Sequence, residues 1–213
     1  MMMQAALLAW ILAVPLYPVT KWAVVIAHEG GHAMAAVALL QGVQKITFDG
    51  NGGGVTYYSR VPLWPFSAVL SFAGYAGPSL FGLLAAWLLL HREPEMVLWA
   101  SMAFLVVMLL TVRGFVGWVI VPALLVLLFQ IATKASPENL TLAAYVWTWL
   151  LLISAVQQMF IYVGQKHYLL KESDTAALQR QTMIPGEIWS VVLLLGTGAA
   201  LVWGGSLLLR MPA

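Results

Sequence analysis

The sequence predicts an all-α polytopic membrane protein: six or seven transmembrane helices, with a small β-hairpin in one connection. Three observations carry the prediction. Of the 213 residues, 62% are hydrophobic and only 8% are charged, whereas a soluble domain has about 25% charged residues. So few charges cannot cover a water-facing surface of this size. The apolar residues fall into runs long enough to cross a hydrocarbon core, which takes roughly 20 residues of helix. Backbone groups in lipid must find their partners internally, and for continuous runs of this length that means helices.

Seven candidate spans follow in order, at residues 3–19, 21–41, 67–90, 96–112, 115–133, 140–164 and 187–209. The stretch from Met1 to Pro18 lacks the basic leading segment of a secretory signal, and the next apolar run follows almost at once, so it reads as a retained membrane segment. Pro15 and Pro18 break its helix near the end. It either crosses alone, giving seven spans, or runs kinked into the second, giving six. The third span contains Gly74-Tyr75-Ala76-Gly77-Pro78-Ser79-Leu80-Phe81-Gly82, a small face expected to pack closely on the second span. Between the fourth and fifth, Arg113 interrupts an otherwise unbroken apolar stretch, marking a tight turn or a buried charge partner.

Two polar stretches, residues 42–66 and 165–186, leave room for other structure. Val43 to Arg60 reads as a β-hairpin: a β-rich run through Ile46, Thr47 and Phe48, a glycine-rich turn from Asp49 to Gly54, then Val55-Thr56-Tyr57-Tyr58. In the second stretch, Ser173 before Asp174-Thr175-Ala176-Ala177-Leu178 is an N-cap and first turn of a short interfacial helix, ended near Pro185. With no linker, repeat or low-complexity tract, residues 1–213 read as a single integral membrane domain. Counting crossings puts the hairpin, the Arg113-Gly114 turn and the Asp174 loop on one side. That side holds six basic residues, Lys45, Arg60, Arg113, Lys166, Lys171 and Arg180, against four, Lys21, Arg92, Lys134 and Arg210, on the other, which assigns it to the cytoplasm.

Charge and cysteine content exclude several classes of function. Net charge is only +2 and the basic residues are scattered singly, with no stripe to track a phosphate backbone, so no nucleic-acid partner is expected. The chain has no cysteine, which removes disulfides, thiolate ligands and a cysteine nucleophile. Any metal must be held by nitrogen and oxygen.

The second span supplies such a set in His28-Glu29-Gly30-Gly31-His32. In a helix, residues four apart project from one face, one turn above the other, so both histidines can reach a single tetrahedral Zn²⁺ at about 2.0–2.1 Å. Glu29 lies about 100° round the helix, placed to act on a water as general base without being a ligand. A chance HExxH would occur in roughly one of 500 shuffled sequences of this composition, and two histidines with a glutamate inside a span are costly unless they have a function. Gly30 and Gly31 remove side chains where another backbone or a substrate could approach.

A catalytic zinc site has three protein ligands and one open position. His32 lies roughly 13 Å from the hairpin end of its span, so the third ligand should come from that side. His91, Glu93, Glu95 and Glu138 are thereby disfavoured. Asp174 leads, although an aspartate after a serine N-cap also serves simply to complement the helix dipole. Asp49 reads better as a turn former, and His167 as an interfacial side chain.

These residues resemble the site-2 protease family of intramembrane zinc metalloproteases, in particular its small bacterial-type members. The resemblance is carried by HEGGHA at residues 28–33, the glycine-rich hairpin, the GYAGPSLFG run, and Ser173-Asp174 with Pro185 and Trp189 downstream. It implies Zn²⁺ bound by His28, His32 and Asp174, with Glu29 activating water. It also implies a hairpin at 43–60 that presents substrate as an added strand, with Ile46, Thr47, Phe48, Val55, Thr56 and Tyr57 touching it. Arg113 could then pair with Asp174 or contact an oxyanion. No Asn-Pro…Leu-Asp-Gly string, the usual setting of the family's third ligand, occurs here.

The expected function is therefore a zinc-dependent intramembrane endopeptidase in a multi-pass protein of the bacterial inner, or plasma, membrane. Its partners would be the bilayer and a membrane protein or peptide substrate. The alternative is a non-catalytic metal-binding scaffold or pseudoprotease that holds partner helices. A transporter is weaker, since no inverted repeat is evident.

Overall fold

The computed structural model describes residues 1–60 and 63–210. Residues 61 and 62 of the first polar stretch lie outside the described residues. Eight α-helices are described: α1 (Met2–Ala13), α2 (Tyr17–Ala38), α3 (Phe66–Leu90), α4 (Pro94–Thr111), α5 (Phe115–Lys134), α6 (Pro137–Gly164), α7 (Asp174–Thr182) and α8 (Gly186–Leu209). Three strands accompany them: β1 (Val43–Phe48), β2 (Gly54–Tyr58) and β3 (Val112–Arg113). One turn of 3-10 helix covers His167–Leu169.

Five helices, α3, α4, α5, α6 and α8, are long and apolar enough to cross a membrane. α1 and α2 are long and apolar enough only as a pair, and they meet at 97°, the geometry of a broken sixth span or of a re-entrant loop. With 12 residues, α1 is about 18 Å long, too short to cross a core of about 30 Å alone. The expected first span at 3–19 is thus corrected. The helix stops at Ala13, and Pro18 belongs to the first turn of α2, where its missing N–H costs nothing. The Thr20 hydroxyl donates to the Leu12 carbonyl at 2.6 Å, tying the two pieces across the break.

Every fourth residue of α1, Ala5, Ala9 and Ala13, is fully buried, and this small face lies along α6. Large apolar side chains elsewhere face outward, among them Val107, Leu110, Trp118, Leu127, Leu195 and Trp203. On a water-facing protein such a surface would be an aggregation hazard; against acyl chains it needs no cover. Burial in α2 is continuous from Ala23 to His32, so this helix runs through the interior.

The predicted approach of α3 to α2 is present and is backbone on backbone. A Cβ added to Gly31 would lie 3.0 Å from the Gly77 Cα and closer still to the Ala73 carbonyl. One added to Gly77 would lie 2.6 Å from the Ala27 carbonyl oxygen. Apolar association between helices gains little in lipid, so packing at this distance is what small residues contribute.

The hairpin folds as expected, with β1 and β2 antiparallel and Ile46 opposite Thr56. Its turn is held by Asp49, whose Oδ1 accepts from the N–H groups of Asn51 at 2.7 Å and Gly53 at 2.9 Å, the turn-forming role expected of it. The sheet has a third member not foreseen: β3, parallel to β1, pairs Val112 with Ile46 and Arg113 with Thr47, in the order β2-β1-β3. The hairpin folds back along α2, and its tip reaches that helix's first turns, where Lys21 Nζ donates to the Asn51 carbonyl. Lys21, counted on the side opposite the hairpin, is therefore joined to it.

A side chain at Gly77 should force α3 away from α2. Gly77→Val is expected to destabilise the protein by about 1–3 kcal/mol, read as a lower unfolding midpoint in detergent. Gly198→Ala, within α8 and where an added Cβ meets nothing within 4 Å, should not lower that midpoint.

Candidate metal centre

The regular hydrogen bonding of α2 sets His28 and His32 one turn apart on one face, their rings edge to face at 4.8 Å between centroids. Their Nε2 atoms stand 3.2 Å from each other. The orientation of His32 is fixed from behind, since its Nδ1 lies 2.8 Å from the Leu70 carbonyl oxygen on α3. A carbonyl only accepts, so Nδ1 carries a proton and Nε2 is the ring atom turned toward His28. The ring of His28 packs edge to face on Tyr75 of α3 at 4.6 Å.

Asp174, the first residue of α7, completes the group. Its Oδ2 lies 3.2 Å from His28 Nε2 and 3.3 Å from His32 Nε2. The Ser173 side chain caps the helix by accepting from the Ala176 N–H at 3.2 Å, which leaves the aspartate carboxylate free to turn inward. Burial alone would raise the Asp174 carboxyl, but the His32 and His28 rings outweigh it and hold the group well below the usual carboxylate range. His28, His32 and Asp174 form a group that could hold a metal ion. Gly74 of α3 makes the space: a Cβ there would come within 2.7 Å of His28 Nε2 and closer to His32 Nε2.

Glu29 points to the hairpin side of the same helix and is buried. The Thr56 hydroxyl donates to its Oε2 at 2.6 Å. Gly54 abuts it as well, since a Cβ there would be 2.6 Å from the Glu29 Cγ and Oε1 atoms. Alternation along β2 then puts Tyr58 on the same side, with Oη 3.5 Å from His32 Nδ1. Burial pushes the Tyr58 phenol up, helped by the nearby Asp174 and Glu29 charges. Val55 and Tyr57, on the other face of β2, are exposed.

Several of the predicted contacts are differently placed. Ile46, Thr47 and Phe48 belong to the central strand, where β2 and β3 flank Ile46 and Thr47, while Ile46 and Phe48 are buried. At Ile46 and Thr47 the strand is paired on both sides, which leaves no edge there for an added strand. Thr56 commits its hydroxyl to Glu29. Arg113 is exposed and donates to the carbonyls of Leu110 at 3.1 Å and Val112 at 2.7 Å, stabilising its own turn instead of pairing with Asp174. His167 contacts Tyr162, with ring centroids 5.7 Å apart, and His91 bonds the Trp87 carbonyl of its own helix at 2.8 Å. Neither belongs to the group.

Thr56, Tyr58, Tyr75 and the Leu70 carbonyl are parts of the site whose roles sequence reasoning did not find. Tyr75 lies in the small-residue run of α3, whose visible signal was packing. Nothing local distinguishes a threonine that faces a peptide from one that faces Glu29, or one carbonyl from another.

No curated protein and no solved structure matches the chain. A family model described as Peptidase M50B-like matches residues 1–204 of the 213-residue chain. Its span includes α2, the hairpin and α7, and so all four residues His28, Glu29, His32 and Asp174. The chain therefore belongs to the Peptidase M50B-like family, part of the site-2 protease group of intramembrane metalloproteases.

Proposed function

We propose that the protein is a zinc-dependent intramembrane endopeptidase that hydrolyses peptide bonds of membrane-associated substrates, with His28, His32 and Asp174 as ligands and Glu29 as general base. One observation carries the reading. Three electron-rich atoms, two imidazole nitrogens and a carboxylate oxygen, converge at separations of 3.2 and 3.3 Å beside a buried carboxylate. Facing lone pairs repel unless a cation or proton lies among them. Corners of a tetrahedron with bonds of about 2.0 Å are about 3.3 Å apart, so the donor set fits zinc in size as well as in chemistry.

Zinc held there supplies a Lewis acid that polarises the scissile carbonyl and acidifies an attacking water. The chain's own groups do the rest. The Thr56 hydroxyl occupies Oε2 of Glu29, leaving Oε1 to take the proton from the water and later deliver it to the leaving amide nitrogen. A helical substrate segment hides its carbonyls in its own hydrogen bonds, so it must be extended before it can be cut. The outer edge of β2 is the place for that extension: it is the strand nearest Glu29, and β1 pairs with it on one side only. Val55 and Tyr57 would flank the added strand.

The same reading takes residues 1–213 as one integral domain, placed in the bacterial inner membrane as a multi-pass protein. A non-catalytic scaffold would have no evident use for a buried Glu29 held by a dedicated hydroxyl, and this favours the protease over that alternative.

Purified protein should carry about one zinc per chain. Glu29→Gln should keep that zinc while cleavage of a single-span substrate in proteoliposomes falls by about 10²–10⁴-fold. A folded wild-type chain without zinc, or an unimpaired Glu29→Gln enzyme, would rule the proposal out.

Thr56→Val should lower kcat by about 10- to 100-fold, the loss of a hydrogen bond to a charged group. Thr56→Ser should retain most of the rate. A Thr56→Val enzyme changed only in KM would show that the hydroxyl serves substrate binding instead.

A further inference from the structure

Asp174 is the one member of the metal group that no long helix carries. It opens a nine-residue helix that follows a connection with Lys166 in the left-handed region and ends at Met183, also left-handed. A ligand must be held within about 0.5 Å of its working position. Only three residues separate Thr182 from α8, but on the Asp174 side α7 is joined to α6 only through residues 165–173, which hold one turn of 3-10 helix. The task falls to how α7 docks.

Docking uses one face. Thr175 and Leu178 are buried, the Gln179 side-chain carbonyl accepts the Gly186 N–H at 2.8 Å, and the Thr182 hydroxyl accepts the Trp189 indole N–H at 2.9 Å. Nearest the carboxylate, one residue along from Asp174, the Thr175 hydroxyl shares a buried hydrogen bond of 2.6 Å with the Tyr162 hydroxyl of α6. The Tyr162 ring packs at 5.2 Å on Tyr75, which also packs on the His28 ring, and the Tyr162 hydroxyl is within reach of the Ser173 and Tyr75 hydroxyls as well. Tyr162 thus stands between Tyr75, which touches His28, and the helix that presents the aspartate. A phenylalanine would make the same ring contacts, so the hydroxyl is what the packing leaves to be explained.

We propose that Tyr162, acting through Thr175, is a positioning residue for the third metal ligand: the hydrogen bond from α6 to α7 sets where the Asp174 carboxylate stands relative to His28 and His32. This rests on reading those three residues as a metal site. Outer partners of this kind are worth about 10–100-fold in metal affinity.

The test is zinc affinity, measured on the detergent-solubilised full chain by competition with a chromophoric chelator, with the metal-free unfolding midpoint recorded beside it. Tyr162→Phe and Thr175→Val should each bind zinc about 10–100-fold more weakly than wild type, and Thr175→Ser should bind close to wild type. Tyr162→Phe in an Asp174→Ala background should bind no more weakly than Asp174→Ala alone, because the tyrosine acts only through the aspartate. Additive losses in the double variant would overturn the inference, since they would mean a general structural role. So would wild-type affinity in Tyr162→Phe, or in Thr175→Val should Tyr162→Phe not fold. A wild-type chain that binds no zinc would defeat the metal reading itself, a result distinct from a wild type that binds with Tyr162→Phe unaffected.

Discussion

The contact on which the rest of the structure depends is the backbone approach of α2 and α3 at Gly31 and Gly77. Once those two helices touch without intervening side chains, three features of the site follow from the register of α3. The Leu70 carbonyl comes to the back of His32, Gly74 comes beside both Nε2 atoms, and Tyr75 comes against His28. A shift of one residue along α3 would turn each of these about 100° away. The small residues of the GYAGPSLFG run are therefore as much a part of the site's geometry as the histidines, although none of them is a ligand candidate.

Much of this was legible in the sequence, for reasons that are local. The face shared by His28 and His32 follows from helical periodicity alone, and the hairpin from a β-rich run on each side of a glycine-rich turn. The longer spans follow from apolar runs that no other structure could bury. What escaped notice depended on contacts distant in sequence. β3 is two residues long, too short to leave a pattern, and it exists because the turn between α4 and α5 lies beside β1. That accident of packing makes β1 the central strand and pairs Ile46 and Thr47 on both sides. The first span failed differently: Pro15 and Pro18 announced the break, but whether the chain would bend slightly or by 97° was set by the seat of α1 on α6.

Asp174 shows that two readings of one residue need not compete. It follows a serine cap at the start of a helix, where a carboxylate complements the dipole, and it faces two histidines. The cap is made by Ser173 alone, and its success spares the aspartate side chain for the other task. The carboxylate reaches the pair of imidazoles from a nine-residue helix and not from one of the helices long enough to cross a membrane.

The bond between Thr56 and Glu29 ties together two things usually considered apart. The strand whose outer edge is open and the hydroxyl that steadies the carboxylate belong to one five-residue segment. Any force that draws β2 away from α2 withdraws the donor from Glu29, and any occupant that presses β2 inward restores it. By linkage the influence runs both ways with equal free energy: a firmly held carboxylate also favours the strand position that an occupant needs. In the proposed enzyme, loading the edge and arming the base would be a single equilibrium, and an empty hairpin that drifts would leave its own general base unsteadied.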